Sequence, residues 1–261
     1  MSAVWVRFAR PCGSISFGKL QDAGKNVQVH AGDLFALPTP TTELLEVSTV
    51  RFLSPIERPP KMLGLWNNFG ERAIKEGWTR PANPLYFLKA SNSFSADGMP
   101  IRRPSGYDGQ IVFEGELGVV IGRRCSNASV EQARECIFGY TCVNDVTARG
   151  LMTRDNDFQQ WTRAKGCDTF APFGPGVATG IDPYALSVRT LVNGVEKQNY
   201  PVADMFFGPY EAIAAISWDM TLEPGDVVAL GTSVGAEAMQ AGDVVQIVID
   251  GVGTLCNRMA D

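Results

Sequence analysis

The stretch FEGELGVVIG, residues 113–122, limits the folds open to this chain more than any other segment. Side chains alternate between the two faces of a β-strand, so Glu114 and Glu116 share one face. Beyond these acids the run is apolar on both faces, which predicts a strand covered on both sides by other layers of the protein. Two carboxylates roughly 7 Å apart on such a strand need a partner that neutralises their charge.

The rest of the chain predicts a mainly β protein with a few helices. Residues 1–60 alternate short apolar runs with turns and end in the segments LPTPTT and LSPIERPP, which indicates a small β-rich N-terminal region. Residues 61–261 continue with short strands, and two Gly-Asp-Val-Val turns near the end indicate one barrel or sandwich. Two helices are predicted here, one in SVEQARECIFGY capped by Ser129 and one in YEAIAAISWDM with Ile213, Ile216 and Trp218 on or near one side.

Composition and charge exclude several classes of function. The net charge of −5, without a clustered basic surface, argues against a nucleic-acid partner. No apolar run approaches the ~20 residues of a membrane helix and no signal pattern is present, so we expect a cytoplasmic protein outside the membrane. The six cysteines include no C-x-x-C pair, and we expect them to be reduced and mostly buried. His30, the single histidine, is expected on the surface or in a turn, which leaves little room for histidine-based catalysis.

Two turn-rich segments carry polar residues of the kind found in functional sites. In GYTCVNDVTARG, Asp145 follows an apolar stretch, and in QQWTRAKGCDTFAPFGPGV, Lys165 and Asp168 lie among glycines, prolines and aromatic residues. Loops of this kind frequently carry functional side chains. Taken alone, each segment is equally compatible with a loop that its own Asn and Asp side chains tie down by hydrogen bonds.

Several segments, taken in order, resemble the fumarylacetoacetate hydrolase family. They are PLYFLKASNSF, FEGELGVVIGRR, GYTCVNDVTARG, QWTRAKGCDTFAPFGPGV, VNGVEKQ, MTLEPGDVVALGT and GVGTLCNR, between about Lys61 and Arg258. The resemblance implies a catalytic domain over residues 61–261 that is a distorted mixed β-roll or barrel with a few helices. It also implies a homodimer. The first 60 residues resemble the variable N-terminal region of many members.

The resemblance places Glu114 and Glu116 on the family's E-x-E metal ligands and Asp145 on its third carboxylate. The chemistry of hard cations agrees with this assignment. Three carboxylates suit Mg²⁺ or Mn²⁺, which prefer oxygen ligands in octahedral geometry and keep open positions for water or substrate. The alternative is a pair of glutamates held by salt bridges to Arg123 or Arg149.

Family substrates are 2-oxo or 1,3-diketo carboxylic acids that chelate the metal, which withdraws charge from the enolate formed in the reaction. The resemblance places Lys165, in the R-A-K-G segment, beside the substrate as a proton-transfer or charge-stabilising group; the alternative is a surface lysine. Thr232 matches the G-T turn that holds the substrate carboxylate. Gln160 and Lys89 are further candidates for the pocket lining, and for these two a structural hydrogen bond is an equal alternative.

The segment NNFGERAIKEG departs from the family pattern. Hydrolytic members carry N-Y-x-x-H-x-x-E here, whose His and Glu orient and deprotonate the attacking water. An ungapped match from Asn68 places Arg72 and Lys75 at these two positions, and neither is a general base in its charged state. Three interpretations remain open: Glu71 is the base, Arg72 and Lys75 bind a second substrate carboxylate, or the helix is solvated with a Glu71–Lys75 pair.

Together these observations predict a metal-dependent enzyme acting on a 2-hydroxy-dienoate or 2-oxo (di)carboxylic acid of the kind formed when aromatic rings are degraded. Tautomerisation, as in an isomerase, or decarboxylation is favoured, because both proceed through an enolate at the metal and need no activated water. The first alternative is hydrolysis of a C–C bond in an acylpyruvate or similar diketone, with Glu71 in place of the dyad. The second is a homologue that binds metal and ligand without turnover.

Overall fold

The computed structural model describes residues 2–260, and the chain is mainly β with a few short helices, which confirms the predicted fold class. The strands are β1 (Ala3–Ala9), β2 (Ile15–Gln21), β3 (Asn26–Ala31), β4 (Thr39–Glu46), β5 (Arg51–Phe52), β6 (Met62–Trp66), β7 (Leu85–Lys89), β8 (Phe94–Ser95), β9 (Ile111–Val112), β10 (Gly115–Ile121), β11 (Ile137–Asn144), β12 (Thr147–Ala148), β13 (Ala171–Thr179), β14 (Ser187–Val192), β15 (Val195–Pro201), β16 (Val227–Ala229), β17 (Val244–Ile249) and β18 (Gly253–Arg258).

The α-helices are short. They are α1 (Gly70–Glu76), α2 (Val130–Cys136), α3 (Arg149–Met152), α4 (Trp161–Lys165) and α5 (Pro209–Asp219). Single 3₁₀ turns cover Asp22–Gly24, Val47–Thr49, Ser91–Ser93, Pro183–Ala185 and Val202–Asp204. No helix within residues 2–260 has both the length and the apolar character that a membrane crossing requires.

One large sheet organises the molecule. It has 12 strands in the order β4-β3-β2-β1-β13-β11-β10-β16-β6-β7, with β5 paired to β1 and β8 paired to β13. The sheet is mixed, because the pairs β16–β6 and β13–β8 are parallel while its other pairs are antiparallel. Its end strands, β4 and β7, leave it open rather than closed as a barrel. A 4-stranded sheet, β15-β14-β17-β18, packs on it, and β12 pairs with β9.

The predicted covered strand is β10, which lies inside the large sheet between β11 and β16. All seven of its residues are buried. Leu117 and Val119 pack in the main core with Ile247 of the 4-stranded sheet, whereas Val120 packs in a second cluster on the other face. The alternation predicted from the sequence is therefore confirmed, and the acids at the start of β10 lie between two layers of the protein.

Both predicted helices are present, with one difference in orientation. Ser129 caps α2, and its side chain accepts a hydrogen bond from the Gln132 backbone in a capping box. In α5, Ile213 and Ile216 are fully buried, but Trp218 is 67% exposed. The placement of Trp218 near the apolar side was wrong, because two residues after Ile216 correspond to a rotation of about 200° around the helix.

The expectation for His30 was also wrong. His30 lies in β3, is buried, and packs edge-on against Trp5 with ring centroids 4.8 Å apart. Strand β1, which lies beyond β2 in the sheet, supplies the indole that packs against it, and the local sequence does not reveal this contact. All six cysteines are free thiols, but the expectation that most of them are buried was wrong: Cys125 and Cys142 are buried, Cys12 is exposed and the other three are half-buried.

Candidate metal centre

Three buried carboxylates meet where β10 begins and β11 ends. Glu114 precedes β10, Glu116 is its second residue, and Asp145 directly follows β11. The antiparallel register pairs Gly115 with Asn144, which brings these two strand ends together. One oxygen from each carboxylate lies within 4.8 Å of the others, and Glu116 and Asp145 are each 1% exposed. The structure thus brings together the three residues predicted as metal ligands.

Gly115 sets the positions of the two glutamates around it. A Cβ at residue 115 would lie 2.1 Å from Thr190 Oγ1 and 2.9 Å from Ile247 Cδ1, so the 4-stranded sheet leaves no room for a side chain. Glycine permits this close approach of one backbone to its neighbours. Because side chains alternate along a strand, Glu114 and Glu116 face away from that sheet and toward Asp145.

Hydrogen bonds from separate segments hold the two glutamates. The Glu114 backbone N–H donates to Asn144 Oδ1 at 3.0 Å, and the Thr147 hydroxyl donates to Glu114 Oε2 at 3.3 Å. The Gly231 backbone N–H donates to Glu116 Oε2 at 2.7 Å. The two glutamates are therefore held in place by groups from β11, β12 and the segment around Gly231.

Two buried lysines balance part of the negative charge. Lys165, at the end of α4, donates hydrogen bonds to Glu114 Oε2 and, at 2.5 Å, to Asp145 Oδ2. Lys89, at the end of β7, donates to Asp145 Oδ1 at 2.6 Å and to two backbone carbonyls. Burial lowers the pKa of Lys89. Burial opposes the charge of Lys165 too, but the carboxylates of Asp145 and Glu114 raise its pKa.

The donor set fits a divalent metal. Burial, followed by repulsion from Asp145 and Glu114, raises the pKa of Glu116 well above its usual range. Among the described residues, Glu116 forms no ion pair with a lysine or arginine, so its charge is the least compensated of the three. A small cation bound by the three carboxylates would remove this repulsion, and an all-oxygen set is the kind that Mg²⁺ and Mn²⁺ prefer.

A cavity of about 650 Å³ opens beside the carboxylates. Its charged lining residues are Arg72, Lys75, Glu76, Glu114, Arg149 and Lys165. Four of these side chains are basic and two are acidic, so the cavity as a whole attracts anions. An organic acid is the ligand class that this charge balance favours.

Helix α1, which we call the lid helix, carries two cations, Arg72 and Lys75, that line the cavity. Arg72 Nη2 lies 3.5 Å from Glu114 Oε1, and Lys75 is exposed at the cavity edge. Glu71 is exposed and does not line the cavity, whereas Glu76 does. Within residues 2–260, Glu71 and Lys75 form no ion pair. The helix is therefore solvated at these two positions but without the expected Glu71–Lys75 pair, and a role for Glu71 as the base stays a prediction.

Three other predicted substrate contacts lie outside the cavity lining. The Lys89 ammonium group already donates three hydrogen bonds, to Asp145 and to two backbone carbonyls. The Thr232 hydroxyl donates to the Gly115 carbonyl at 2.9 Å and accepts a hydrogen bond from Gln198 Nε2 at 2.8 Å. The Gln160 amide donates to the backbone carbonyl two residues earlier at 3.2 Å. Each has protein partners, and a direct substrate contact for any of them stays a prediction.

Sequence reasoning missed several residues that line the cavity. Trp66, Trp78 and Trp161 come from three different segments, and although Trp161 lies in the QWTRAKG motif, nothing in the sequence places the three rings together. Ser233 also lines the cavity, and its buried hydroxyl has no hydrogen-bond partner within the described part of the chain. Unpartnered buried hydroxyls are uncommon, so this group is available to a ligand or a water molecule. Only Ser233 carried an indirect signal, because it follows the predicted Thr232.

Residues 61–260 match a family model, fumarylacetoacetate (FAA) hydrolase C-terminal, which covers well over half of the chain. The chain belongs to the fumarylacetoacetate hydrolase family. A second model, Rv2993c-like, N-terminal, matches residues 5–55. The resemblance read from the sequence motifs is thereby confirmed for the family.

Three members of the fumarylacetoacetate hydrolase family show what this chain is similar to. A 2-hydroxyhepta-2,4-diene-1,7-dioate isomerase from Mycobacterium marinum is 36% identical with a TM-score of 0.89, covering 99% of this chain and 98% of that one. Oxaloacetate tautomerase YisK of Bacillus subtilis is 34% identical over 83% of this chain and 75% of its own length. Fumarylpyruvate hydrolase from Pseudomonas aeruginosa, solved with Mn²⁺ and pyruvate, is 26% identical with a TM-score of 0.72, covering 77% and 90%.

Proposed function

We propose that this protein is a divalent-metal-dependent tautomerase of 2-oxo or 2-hydroxydienoic acids, with decarboxylation as a second outcome of the same enolate. The observation that carries the proposal is that Arg72 and Lys75 of the lid helix line the cavity, where the ungapped match to the family pattern leads us to expect the hydrolytic His and Glu. Cations at these positions bind an acid but do not deprotonate water. The isomerase from Mycobacterium marinum and the tautomerase from Bacillus subtilis support the same reaction class.

Glu114, Glu116 and Asp145 are the residues that would hold the metal. When bound there, Mg²⁺ or Mn²⁺ would supply a Lewis acid for the charge that develops on the 2-oxo group of the substrate. Lys89 orients Asp145 through the 2.6 Å hydrogen bond from its Nζ. Such outer partners keep ligand carboxylates in place and commonly affect metal affinity.

Lys165 is the proposed proton-transfer group. Its Nζ lies beside Glu114 at the cavity, and the carboxylates around it raise its pKa despite its burial. An ammonium group in this position stabilises the negative charge of the enolate, donates a proton to the carbon next to the 2-oxo group and, as the neutral amine, takes up the proton that the 2-hydroxyl releases. The hydrogen bonds of Lys165 to Glu114 and Asp145 favour the ammonium form at the start of this exchange.

Arg72 is proposed to bind a second carboxylate of the substrate. Its guanidinium is already close to the carboxylate cluster, since Nη2 is 3.5 Å from Glu114 Oε1. Guanidinium groups pair with carboxylates through two parallel hydrogen bonds, which adds orientation as well as affinity. A dicarboxylic acid of the kind released from aromatic-ring degradation is the substrate class that follows. A homodimer, implied by the family resemblance, is part of the same proposal.

Hydrolysis of an acylpyruvate is the second candidate, and one observation favours it. Glu76 is a carboxylate on the lid helix that lines the cavity, whereas Glu71 does not, so Glu76 is the second candidate for the base that activates water. In that case the Glu76→Gln variant would lose C–C cleavage but keep metal binding. Under tautomerisation, the same variant changes the rate much less than loss of a carboxylate ligand.

The deciding experiment is a screen with Mg²⁺ or Mn²⁺, read by ultraviolet absorbance and mass spectrometry. The panel contains oxaloacetate, acylpyruvates and carboxymethyl-hydroxymuconate-type dienoates, with Glu116→Ala as the metal-ligand control. We expect a spectral change at constant mass, or loss of CO₂, that requires the metal. Addition of water followed by cleavage would replace the proposal with hydrolysis, and metal-dependent binding of oxalate without any turnover would indicate a silent homologue.

A further inference from the structure

Three of the chain's five tryptophans form one side of the cavity, which we call the tryptophan wall. Trp66 ends β6, Trp78 follows α1, and Trp161 begins α4. The ring centroid of Trp66 is 4.8 Å from that of Trp78 and 5.9 Å from that of Trp161. Segments far apart in the chain therefore join their indole rings into one continuous surface.

The tryptophan wall is only partly covered by the protein. All three side chains are half-buried and all three line the cavity. The Arg72 guanidinium lies 5.9 Å from the Trp78 ring centroid, so a cation of the lid helix faces the same surface. Rings that served the core alone would be covered by other side chains, whereas these present area to whatever occupies the cavity.

The tryptophan wall lies one helical turn from the proposed reacting end of the cavity. Trp161 and Lys165 are four residues apart on α4, which places them on one helix face about 6 Å apart. Phe87 connects the two: its ring stacks on Trp161 at 5.0 Å, and Lys165 Nζ lies 5.0 Å from its centroid. An acid whose 2-oxo end lies at Lys165 reaches the tryptophan wall only through a substituent several atoms long.

We propose that the tryptophan wall is a specificity subsite for a planar unsaturated or aryl group at the far end of a 2-oxo acid. The inference rests on the proposed function for the position of the 2-oxo end, and it adds the chemical nature of the substituent. Flat conjugated groups stack on indole faces, which saturated groups of similar size do not. Each stacked indole should increase affinity roughly 2- to 10-fold. Oxaloacetate is too short to gain from it.

The test is calorimetric binding in excess Mg²⁺ with three probes. Oxalate measures the 2-oxo acid end alone, and trans-2-oxo-4-phenylbut-3-enoate adds an aryl group without an enolisable hydrogen. Its cyclohexyl analogue keeps the same enone but replaces the flat ring with a saturated one. The variants are Trp78→Leu and Trp161→Leu, each with the milder Trp→Phe change in case leucine disturbs folding. Trp218→Leu, on the exposed side of α5, is the matched control.

We expect the phenyl acid to bind the wild-type protein at least 5-fold more tightly than the cyclohexyl acid. Trp78→Leu and Trp161→Leu should each remove most of this preference while oxalate affinity stays the same, and Trp218→Leu should change neither. Equal affinities for the two ring acids, or variants that weaken oxalate and the phenyl acid alike, overturn the inference but leave the proposed function standing. Failure of oxalate to bind with any divalent metal overturns the proposed function itself, and the subsite with it.

Discussion

The inner cluster and the lid helix lie on the same cavity but are built in opposite ways. The inner cluster consists of Glu114, Glu116, Asp145, Lys89 and Lys165. None of these residues is more than 9% exposed, and the two lysines are held by short hydrogen bonds. In the lid helix, Lys75 is exposed and the single ionic contact of Arg72 is 3.5 Å long. Under the proposed function, we expect the reaction to depend on the buried, hydrogen-bonded inner cluster and the choice of substrate to depend on the more exposed lid helix.

Loss of an inner carboxylate should have the largest effect on activity. We expect Glu116→Ala to reduce turnover of the best 2-oxo acid by about 10³-fold or more, because a Lewis acid supplies several kcal/mol of transition-state stabilisation. Mn²⁺ affinity, measured by calorimetry, should fall with it. Glu76→Ala, which removes a carboxylate of the lid helix from the same cavity, should cost less than about 10-fold. Equal losses of turnover in the two variants would show that the inner cluster and the lid helix do not differ in their contribution to the reaction.

Replacement of a lysine of the inner cluster should lower the free energy of unfolding. We expect Lys89→Met to lower the free energy of unfolding of the metal-free protein by about 3–5 kcal/mol, because it leaves Asp145 with one lysine fewer in a buried site. Added Mn²⁺ should restore more stability to this variant than to the wild-type protein. The measurement is urea unfolding with and without metal.

The same substitution on the lid helix is the control for this result. Lys75→Met should change the free energy of unfolding by less than about 0.5 kcal/mol, since Lys75 is exposed and has no buried partner. If Lys75→Met and Lys89→Met destabilised the protein equally, burial would not be what separates the two regions.

The two cations of the lid helix should make the enzyme prefer dicarboxylic over monocarboxylic 2-oxo acids. Arg72→Ala is expected to lower kcat/KM for a dicarboxylic 2-oxo acid by about 10- to 100-fold, the value of a charge-assisted hydrogen bond, with little change for a monocarboxylic one. Lys75→Ala should cost only about 2- to 5-fold, because exposed ion pairs are weak. Steady-state kinetics on the two acids provide the comparison. A uniform loss on both acids would assign Arg72 to the chemistry instead of to selection.

Asp97, unlike Asp145, forms no ion pair with a lysine among the described residues. Its replacement should have the smallest effect of the substitutions considered. Burial raises its pKa, and its Oδ1 accepts a hydrogen bond from the Cys256 N–H at 2.7 Å. Since the folded protein binds this proton more tightly than the unfolded chain, stability falls as pH rises from the usual Asp pKa through the raised one. The Asp97→Asn variant lacks this titrating group, so its free energy of unfolding should not fall with pH for this reason. The difference in free energy of unfolding between the variant and the wild-type protein should therefore shift in favour of the variant from pH 4 to pH 8, by less than about 1 kcal/mol. Unfolding curves at the two pH values measure it, and a relative loss at pH 8 would contradict the sign.

The carboxylates of the site could be predicted because strand periodicity places Glu114 and Glu116 on one face and the family motif supplies Asp145. The hydrogen bonds of Lys89 could not, because its partner Asp145 lies 56 residues away and nothing in PLYFLKA indicates which acid it meets. The same limit applies to the tryptophan wall, whose rings meet only after folding. Burial of His30 likewise depends on Trp5 from another strand. The face that a residue takes within one strand follows from the sequence, whereas contacts between segments were predicted only where the family resemblance supplied them.

The crowded position of Gly115 has a consequence for how new specificities can arise. A saturation library at residue 115 should return almost only glycine, because any other side chain would collide with Thr190 and push the two glutamates out of place. Positions 72, 75 and 76 carry no such constraint and should accept many residues in a folded protein. Directed evolution can therefore change which acids the protein accepts through substitutions in the lid helix, while the residues of the inner cluster stay the same.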